Sequence, residues 1–417
     1  MKYIFILEGK QFLRNRITLL GFGILLLLGI YAIYHGHNVI QQQITTIAKL
    51  DAVQQEQLEE NIEHHEDHEI GTLCYYQFYY TSNEPTNWAA FSIGQRDVNP
   101  YTLKVRMLAV EGQLYDTELS NPVSLVTGNL DLSFVFIFLL PLLIITLTFN
   151  LLSGEEESGI WRLVASQPIS TFKILLLKFS VRYLAVFILV ILLMMIAVLA
   201  LSLSLDQALL SILGWLLFYM SFWFIVVFGI VLLAKNSNFN AVSLLSIWLF
   251  MVILIPAFAN VVISNSIPLP EALSTTVTQR EAYHEKWDMP KSTVMVPFYE
   301  AYPQYSNYII PEDRFTYGWY YAMMYSADKE AEQSSEILFE KLQKRHAAGK
   351  SLGYFLPSLL LQNKFNEVAK TDLNDHIDYL KAVKKFHRSI SEFFYPHVFE
   401  LSLPRDIDWQ KLPKFEK

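Results

Sequence analysis

Residues 183–234 read YLAVFILVILLMMIAVLALSLSLDQALLSILGWLLFYMSFWFIVVFGIVLLA, and a single charged residue, Asp206, interrupts them. At 1.5 Å of rise per residue, the runs on either side of Asp206 are each long enough to cross a hydrocarbon core of about 30 Å. Asp206 and its neighbours leave room only for a tight connection, so the stretch predicts a helical hairpin across a bilayer. Working outward from it, residues 17–34, 132–152 and 241–263 also lack Asp, Glu, Lys and Arg. Five such runs predict an α-helical polytopic membrane protein with five transmembrane helices.

Composition points the same way. The 417 residues are 53% apolar and only 17% charged, against about 25% charged in soluble domains. The deficit is local, because residues 35–131 and 264–417 have the composition of soluble protein. The net charge of −8 comes mostly from those parts and argues against a nucleic-acid partner. Cys74 is the single cysteine, which excludes an intrachain disulfide. The first apolar run is too long for the core of a cleaved signal peptide, and Tyr31, Ile33, Tyr34 and His35 stand where small residues would mark cleavage.

Basic residues set an expected orientation. Lys2, Lys10, Arg14 and Arg16 precede the first run, with Glu8 alone against them; Arg162, Lys173, Lys178 and Arg182 lie between the second and third, and Lys235 between the fourth and fifth. The positive-inside rule puts these segments in the cytoplasm and leaves 35–131 and 264–417 outside. The expected organisation is an interfacial amphipathic helix at 1–16 and spans at 17–34, 132–152, 172–205, 207–234 and 241–263. A cytoplasmic loop at 153–171 joins the second and third spans. The outer insertion, 35–131, is expected to be mixed α/β, with one helix over 38–69 and strand and turn over 75–126. The outer C-terminal domain, 264–417, is expected to be mainly helical. Its clearest helix carries Leu373, Ile377, Leu380, Val383, Phe386, Ile390 and Phe393 at three- and four-residue spacing.

Few groups suggest chemistry. Glu63-His64-His65-Glu66-Asp67-His68-Glu69 places His64/His68 and His65/Glu69 one helical turn apart, a spacing that can chelate a divalent ion and that also suits a solvated helix tip. Gly349-Lys350-Ser351 has the end of a phosphate-binding loop, but Lys344 stands where the pattern needs glycine. The aromatic clusters at 75–80 and 317–325 suit an apolar substrate path, a place at the outer interface, or the core of the outer part. Pro141 and Pro256 predict kinks inside two spans. No histidine or acid lies inside a span, which disfavours a proton relay and ion-driven transport, and no nucleophile–base arrangement suggests an enzyme.

The loop between the second and third spans, Gly154-Glu155-Glu156-Glu157-Ser158-Gly159-Ile160-Trp161-Arg162-Leu163-Val164-Ala165-Ser166-Gln167-Pro168-Ile169-Ser170, starts with three carboxylates, which a helix start favours. It resembles the E-x-E-x-G-x-x-R-L-L-x-S-x-P-x-S loop of ABC-2-type transporter permeases. Glu155, Glu157, Gly159, Arg162, Leu163, Ser166, Pro168 and Ser170 match, and Val164 replaces the second leucine. Phe91 to Pro100 (FSIGQRDVNP), Asn121-Pro122, and Gly128 to Phe134 leading into Leu140-Pro141-Leu142 are similar to segments of a subfamily with large outer insertions. So are Asp375-His376, Phe386-His387-Arg388 and Phe393-Phe394.

The resemblance implies a coupling loop that contacts an ATPase through Glu155, Glu156, Glu157, Gly159, Trp161 and Arg162. It implies two cytoplasmic ABC ATPase subunits that bind ATP and magnesium, with no cofactor in this chain. A second permease, identical or paralogous, and a place in a bacterial inner membrane with the C-terminus in the periplasm complete the expectation. The implied function is export; the alternative is a mechanotransmitter that acts on a periplasmic partner. Such permeases have a sixth span after an outer Leu-Pro-x-Phe segment, whereas Leu412-Pro413-Lys414-Phe415 is followed here by Glu416-Lys417.

Overall fold

The protein, seen here as a computed structural model, is described at residues 2–114, 130–161, 163, 166 and 170–417. It is mostly helical, with one two-stranded sheet. Helix α1 (Lys2–Arg14) turns at Asn15, whose side chain accepts the Ile17 N–H, into α2 (Arg16–His64). α2 is a single 49-residue helix. The first apolar run and the Gln- and Glu-rich stretch after it therefore form one element, as no proline or turn signal separates them.

Where the sequence predicts strand and turn over 75–126, the structure has a short ribbon. α3 (Ile70–Tyr76) leads to β1 (Tyr79–Ser82), which pairs antiparallel with β2 (Thr102–Val105) in the register Tyr79 to Val105 and Ser82 to Thr102. α4 (Val110–Leu114) follows; 115–129, with Asn121-Pro122, Gly128 and Asn129, lies outside the described residues.

Four more long helices come next: α5 (Leu132–Glu157), α6 (Thr171–Ala200), α7 (Gln207–Val231) and α8 (Ser237–Ser266). With α2 they are, among the described residues, the five helices long and apolar enough to cross a membrane. Asp206 caps α7 by accepting the N–H groups of Ala208 and Leu209. In their apolar windows 67% of α5 is buried but only 11% of α8, so α5 is central and α8 peripheral.

Both predicted kinks are helix breaks that another element repairs. A π-helical turn at Val135–Leu139 precedes Pro141, and one at Phe250–Leu254 precedes Pro256. Proline brings no N–H and crowds the preceding turn, and a π-turn absorbs the mismatch. Pro141 lies four residues after Ile137, whose carbonyl accepts the Tyr219 hydroxyl at 2.8 Å. In the second turn the Ile255 N–H reaches back five residues to Phe250, so Pro256 leaves the Met251 carbonyl without a backbone donor. The Ser358 hydroxyl donates to it at 3.1 Å.

Ser358 belongs to the C-terminal part. α9 (Glu271–Trp287), two short turns at 291–301, α10 (Tyr317–Gly353), α11 (Pro357–Ala369) and α12 (Leu373–Phe399) make up most of it. α10 and α12 enclose an aromatic core with α3 and the sheet. Phe298 stacks on Phe399 at 5.4 Å and meets Tyr395 edge-on at 5.0 Å. Ile377, Leu380, Val383, Phe386 and Ile390 are buried on the α12 stripe as their spacing predicts, whereas Phe393 is half-buried and Phe394 takes its place inside.

α11 does not join that core. Leu361, Phe365 and Ala369 belong to the apolar cluster of the long helices. The Phe91–Asp97 segment holds α11 there: the Phe91 ring meets Phe365 edge-on at 5.0 Å, Ser92 donates to Asn366 Oδ1 at 2.8 Å, and the Gln95 N–H donates to the Thr371 carbonyl at 2.9 Å. Gly94 makes the turn with φ +55°, and a Cβ there would come within 2.5 Å of the Thr371 hydroxyl. Asp131 accepts from both Ile93 and Phe134, which ties the same segment to the start of α5.

Candidate functional site

Three pieces meet at one end of the helix bundle: α1, the α5–α6 connection and the Leu232–Asn236 turn. Lys173, Lys178, Arg182 and Lys235 lie at or near this basic end. The last turn of α5, Ser153–Glu157, presents the three carboxylates, and they have different surroundings. Glu155 is half-buried and forms an ion pair with Lys178 of α6. Glu157 accepts the Ser237 N–H at 2.8 Å and the Ser237 hydroxyl at 3.0 Å. That places a carboxylate at the N-terminus of α8, where the helix dipole favours negative charge. Ser153 also meets the Ser237 hydroxyl, at 2.8 Å. Glu156 is exposed, and among the described residues its side chain makes no ion pair or hydrogen bond.

Beyond the carboxylates the chain turns at Gly159, whose φ of +75° is a conformation other side chains adopt only with strain. Trp161 packs back against the bundle, while Ile160 and Leu163 are 52% and 74% exposed. Arg162, Val164 and Pro168 lie outside the described residues. The expected coupling residues thus divide. Glu155, Glu157 and Trp161 fasten this stretch, a knob formed by the last turn of α5 and the residues after it, to the bundle, and Glu156, Ile160 and Leu163 face outward.

The sequence reading misses the partners of this fastening. It treats Lys178 and Arg182 as flanking charge, yet they are one turn apart on α6 and point to two different elements. Arg182 donates to Glu8 of α1 at 2.6 Å and to the Leu147 carbonyl of α5 at 3.0 Å, and lies 5.3 Å from the Phe12 ring centroid. The Glu8–Arg182 pair is almost wholly shielded from solvent. Breaking such a pair strands a buried charge, which typically costs about 3–5 kcal/mol. The sequence marks the residues as unusual, though not as partners: Glu8 is the lone acid in a basic segment, and Lys178 and Arg182 stand at i,i+4 spacing in an apolar helix.

Other candidate residues take structural places. His65 stacks on Tyr76 at 5.3 Å and lies beside His64 and His68; burial, then the two neighbouring histidines, hold its imidazole below the ordinary value. Glu69 precedes α3. No group of three or more His, Cys, Asp or Glu is arranged to hold a metal ion among the described residues. Gly349, Lys350 and Ser351 lie inside α10, and Lys350 pairs with Glu367 at 3.1 Å. Trp319, Tyr320 and Tyr321 are buried in the aromatic core around α10 and α12, where Tyr321 donates to the Gly71 carbonyl at 2.8 Å.

A polar cleft of about 100 Å³ lies between the 107–111 segment, α10 and α12. Asp328 accepts the N–H groups of Val110 and Glu111 at 2.6 and 3.0 Å, and Glu111 pairs with Lys384. His387 donates to the Leu108 carbonyl at 2.6 Å, and burial drives its imidazole down to about 4. These groups bind the 107–111 segment to α10 and α12.

Residues 273–417 match a family model described as a domain of unknown function (DUF3526). No curated protein and no solved structure matches the chain.

Proposed function

We propose that the chain is the membrane subunit of an ABC-2-type transporter, an exporter by that resemblance. It would work beside a second permease and be driven by two cytoplasmic ATPases that bind ATP and magnesium. The basic end is then cytoplasmic by the positive-inside rule. The observation that carries this reading is how the knob after α5 is held. Two carboxylates lock it to α6 and α8, while Glu156, Ile160 and Leu163 face outward. A connector that only joins two helices needs neither cross-bundle fastening nor exposed apolar side chains at its tip. A lever needs both: a surface for a partner to push and a stiff linkage to what it moves. ATP-driven closure of the ATPase pair would shift the knob, and α5, α6 and α8 would carry the shift across the bilayer.

The test is Glu156→Lys, which leaves the internal fastening intact. Co-purification with the ATPase should weaken and coupled ATP hydrolysis should fall, while the variant still inserts into membranes. Unchanged assembly and unchanged hydrolysis would overturn the proposal.

The second reading, a mechanotransmitter, draws support from α11. It is fastened to the long helices and, through the Glu367–Lys350 pair, to α10, so movement of one reaches the other. Reconstituted vesicles separate the two readings: ATP-dependent solute accumulation favours transport, and ATP-dependent action on an outer partner without flux favours transmission.

A further inference from the structure

We propose that the turn between α10 and α11, Tyr354-Phe355-Leu356, dips into the bilayer and contacts acyl chains in the leaflet away from the basic end. The proposal rests on the reading of the five long helices as membrane-spanning.

Depth is the first argument. Ser358, in the first turn of α11, bonds the Met251 carbonyl. Met251 lies fourteen residues into α8, so about 21 Å from its start at Ser237, by the rise of an α-helix. A hydrocarbon core of about 30 Å measured from that start extends roughly 9 Å beyond Met251. α10 descends to this level alongside α8: Arg345 donates to the carbonyls of Ser264 and Ile267 near the far end of α8, and the turn lies two helical turns further on.

The surface of the turn is the second argument. Tyr354 and Phe355 are 75% and 82% exposed, while Leu356 is buried. Adjacent aromatic side chains this exposed are unfavourable in water and ordinary at a membrane interface.

The backbone is the third. Exposed irregular chain is tolerated in hydrocarbon only if its polar groups are satisfied internally. The donors of the turn meet this: the N–H of Tyr354 donates to Ser351, that of Phe355 to Leu352, and that of Leu356 to Leu352 and Gly353, and Pro357 has none to satisfy. The Leu356 carbonyl accepts from Leu360, which leaves the Tyr354 and Phe355 carbonyls at the tip without a backbone donor.

The experiment uses the full chain with Cys74→Ala and one new cysteine labelled with bimane, in nanodiscs whose phosphatidylcholine carries a nitroxide on the acyl chain. Phe355→Cys tests the turn. Ile188→Cys, on the exposed face of α6, reports whether the long helices meet lipid, and Ile309→Cys reports an exposed site on the outer part. The expected result is matching loss of fluorescence at 355 and 188 with none at 309. Quenching at 188 but not at 355 overturns the inference and leaves the membrane reading standing. Absence of quenching at 188 overturns both. A blue-shifted, unquenched signal at 355 that reverts on dilution in detergent means a second copy covers the turn, and also overturns the inference.

Discussion

Along α12 the exposed positions are Asn374, Asp378, Lys381, Lys385, Arg388 and Glu392; along α6, past Lys173 and Ser180 near its start, they include Leu184, Ile188, Leu192, Met195 and Leu199. Both helices bury one apolar stripe: Val383, Phe386 and Ile390 in α12, and Val186, Leu189 and Leu193 in α6. The inner faces follow the same packing rule, and only the outer faces differ. What covers each helix is therefore written on the side that packs against nothing, and α6 asks for a cover that is not water.

The comparison breaks most sharply if a charge is placed on each face in turn. Phe386→Asp puts a carboxylate into the core around α12 and should cost more than about 4 kcal/mol, unfolding the C-terminal part while the long helices stay folded. Limited proteolysis of the membrane-bound protein would read this out. Ile188→Asp sits on an exposed face and should be silent if that face meets water. If it meets lipid, the cost is about 2.5–3.5 kcal/mol near a helix centre, seen as a reduced inserted fraction. A silent Ile188→Asp would remove the distinction drawn between the two helices.

Acid sharpens the contrast by a similar amount. His387 is held near 4 in the folded protein by burial, below the ordinary value of about 6.5. The unfolded chain therefore takes up this proton first, so stability is fully present above about pH 6.5 and is lost as pH falls toward 4. The loss from His387 approaches roughly 3 kcal/mol at the acid end. His376, driven down to about 4 mainly by burial, acts in the same direction. Melting of the outer part at pH 7.5, 6 and 5 should show the decline, and His387→Gln should blunt it. An outer part equally stable at all three would show that the imidazole is not held neutral.

The smallest effect tests the junction between the two regions. Ser358→Ala leaves the Met251 carbonyl without its side-chain donor and should cost about 1 kcal/mol, at the low end for a buried orphan group. Ser358→Thr should restore most of it. Thermal unfolding in nanodiscs, with the three proteins side by side, measures the difference.

The legible features were those that repeat or accumulate along the chain. Five uncharged runs gave the five long helices, and the 373–390 stripe gave the buried face of α12. Long-range pairing was not legible. Nothing near Glu8 names Arg182, and nothing near Glu155 names Lys178; both pairs form because α1 and the knob fold back onto α6. The division at residue 264 also concealed α11. Its apolar run, Leu359-Leu360-Leu361, is too short to register as a span, and Lys364 and Glu367 give it the pattern of a soluble helix. Within the candidate site the carboxylates were visible as a motif, but their division into fasteners and one outward-facing group depended on Lys178 and Ser237, which are remote in sequence.

The repaired break in α8 joins two motions. At Pro256 the helix has given up a backbone bond and can flex there more easily than at any regular turn. The group that compensates for the lost bond is carried on α11, which is tied to α10 of the C-terminal part through the Glu367–Lys350 pair. Ser358 is thus the pin of a joint whose two leaves belong to different regions. Bending α8 pulls the pin, lifting α11 frees the bend, and neither displacement can begin without being felt by the other.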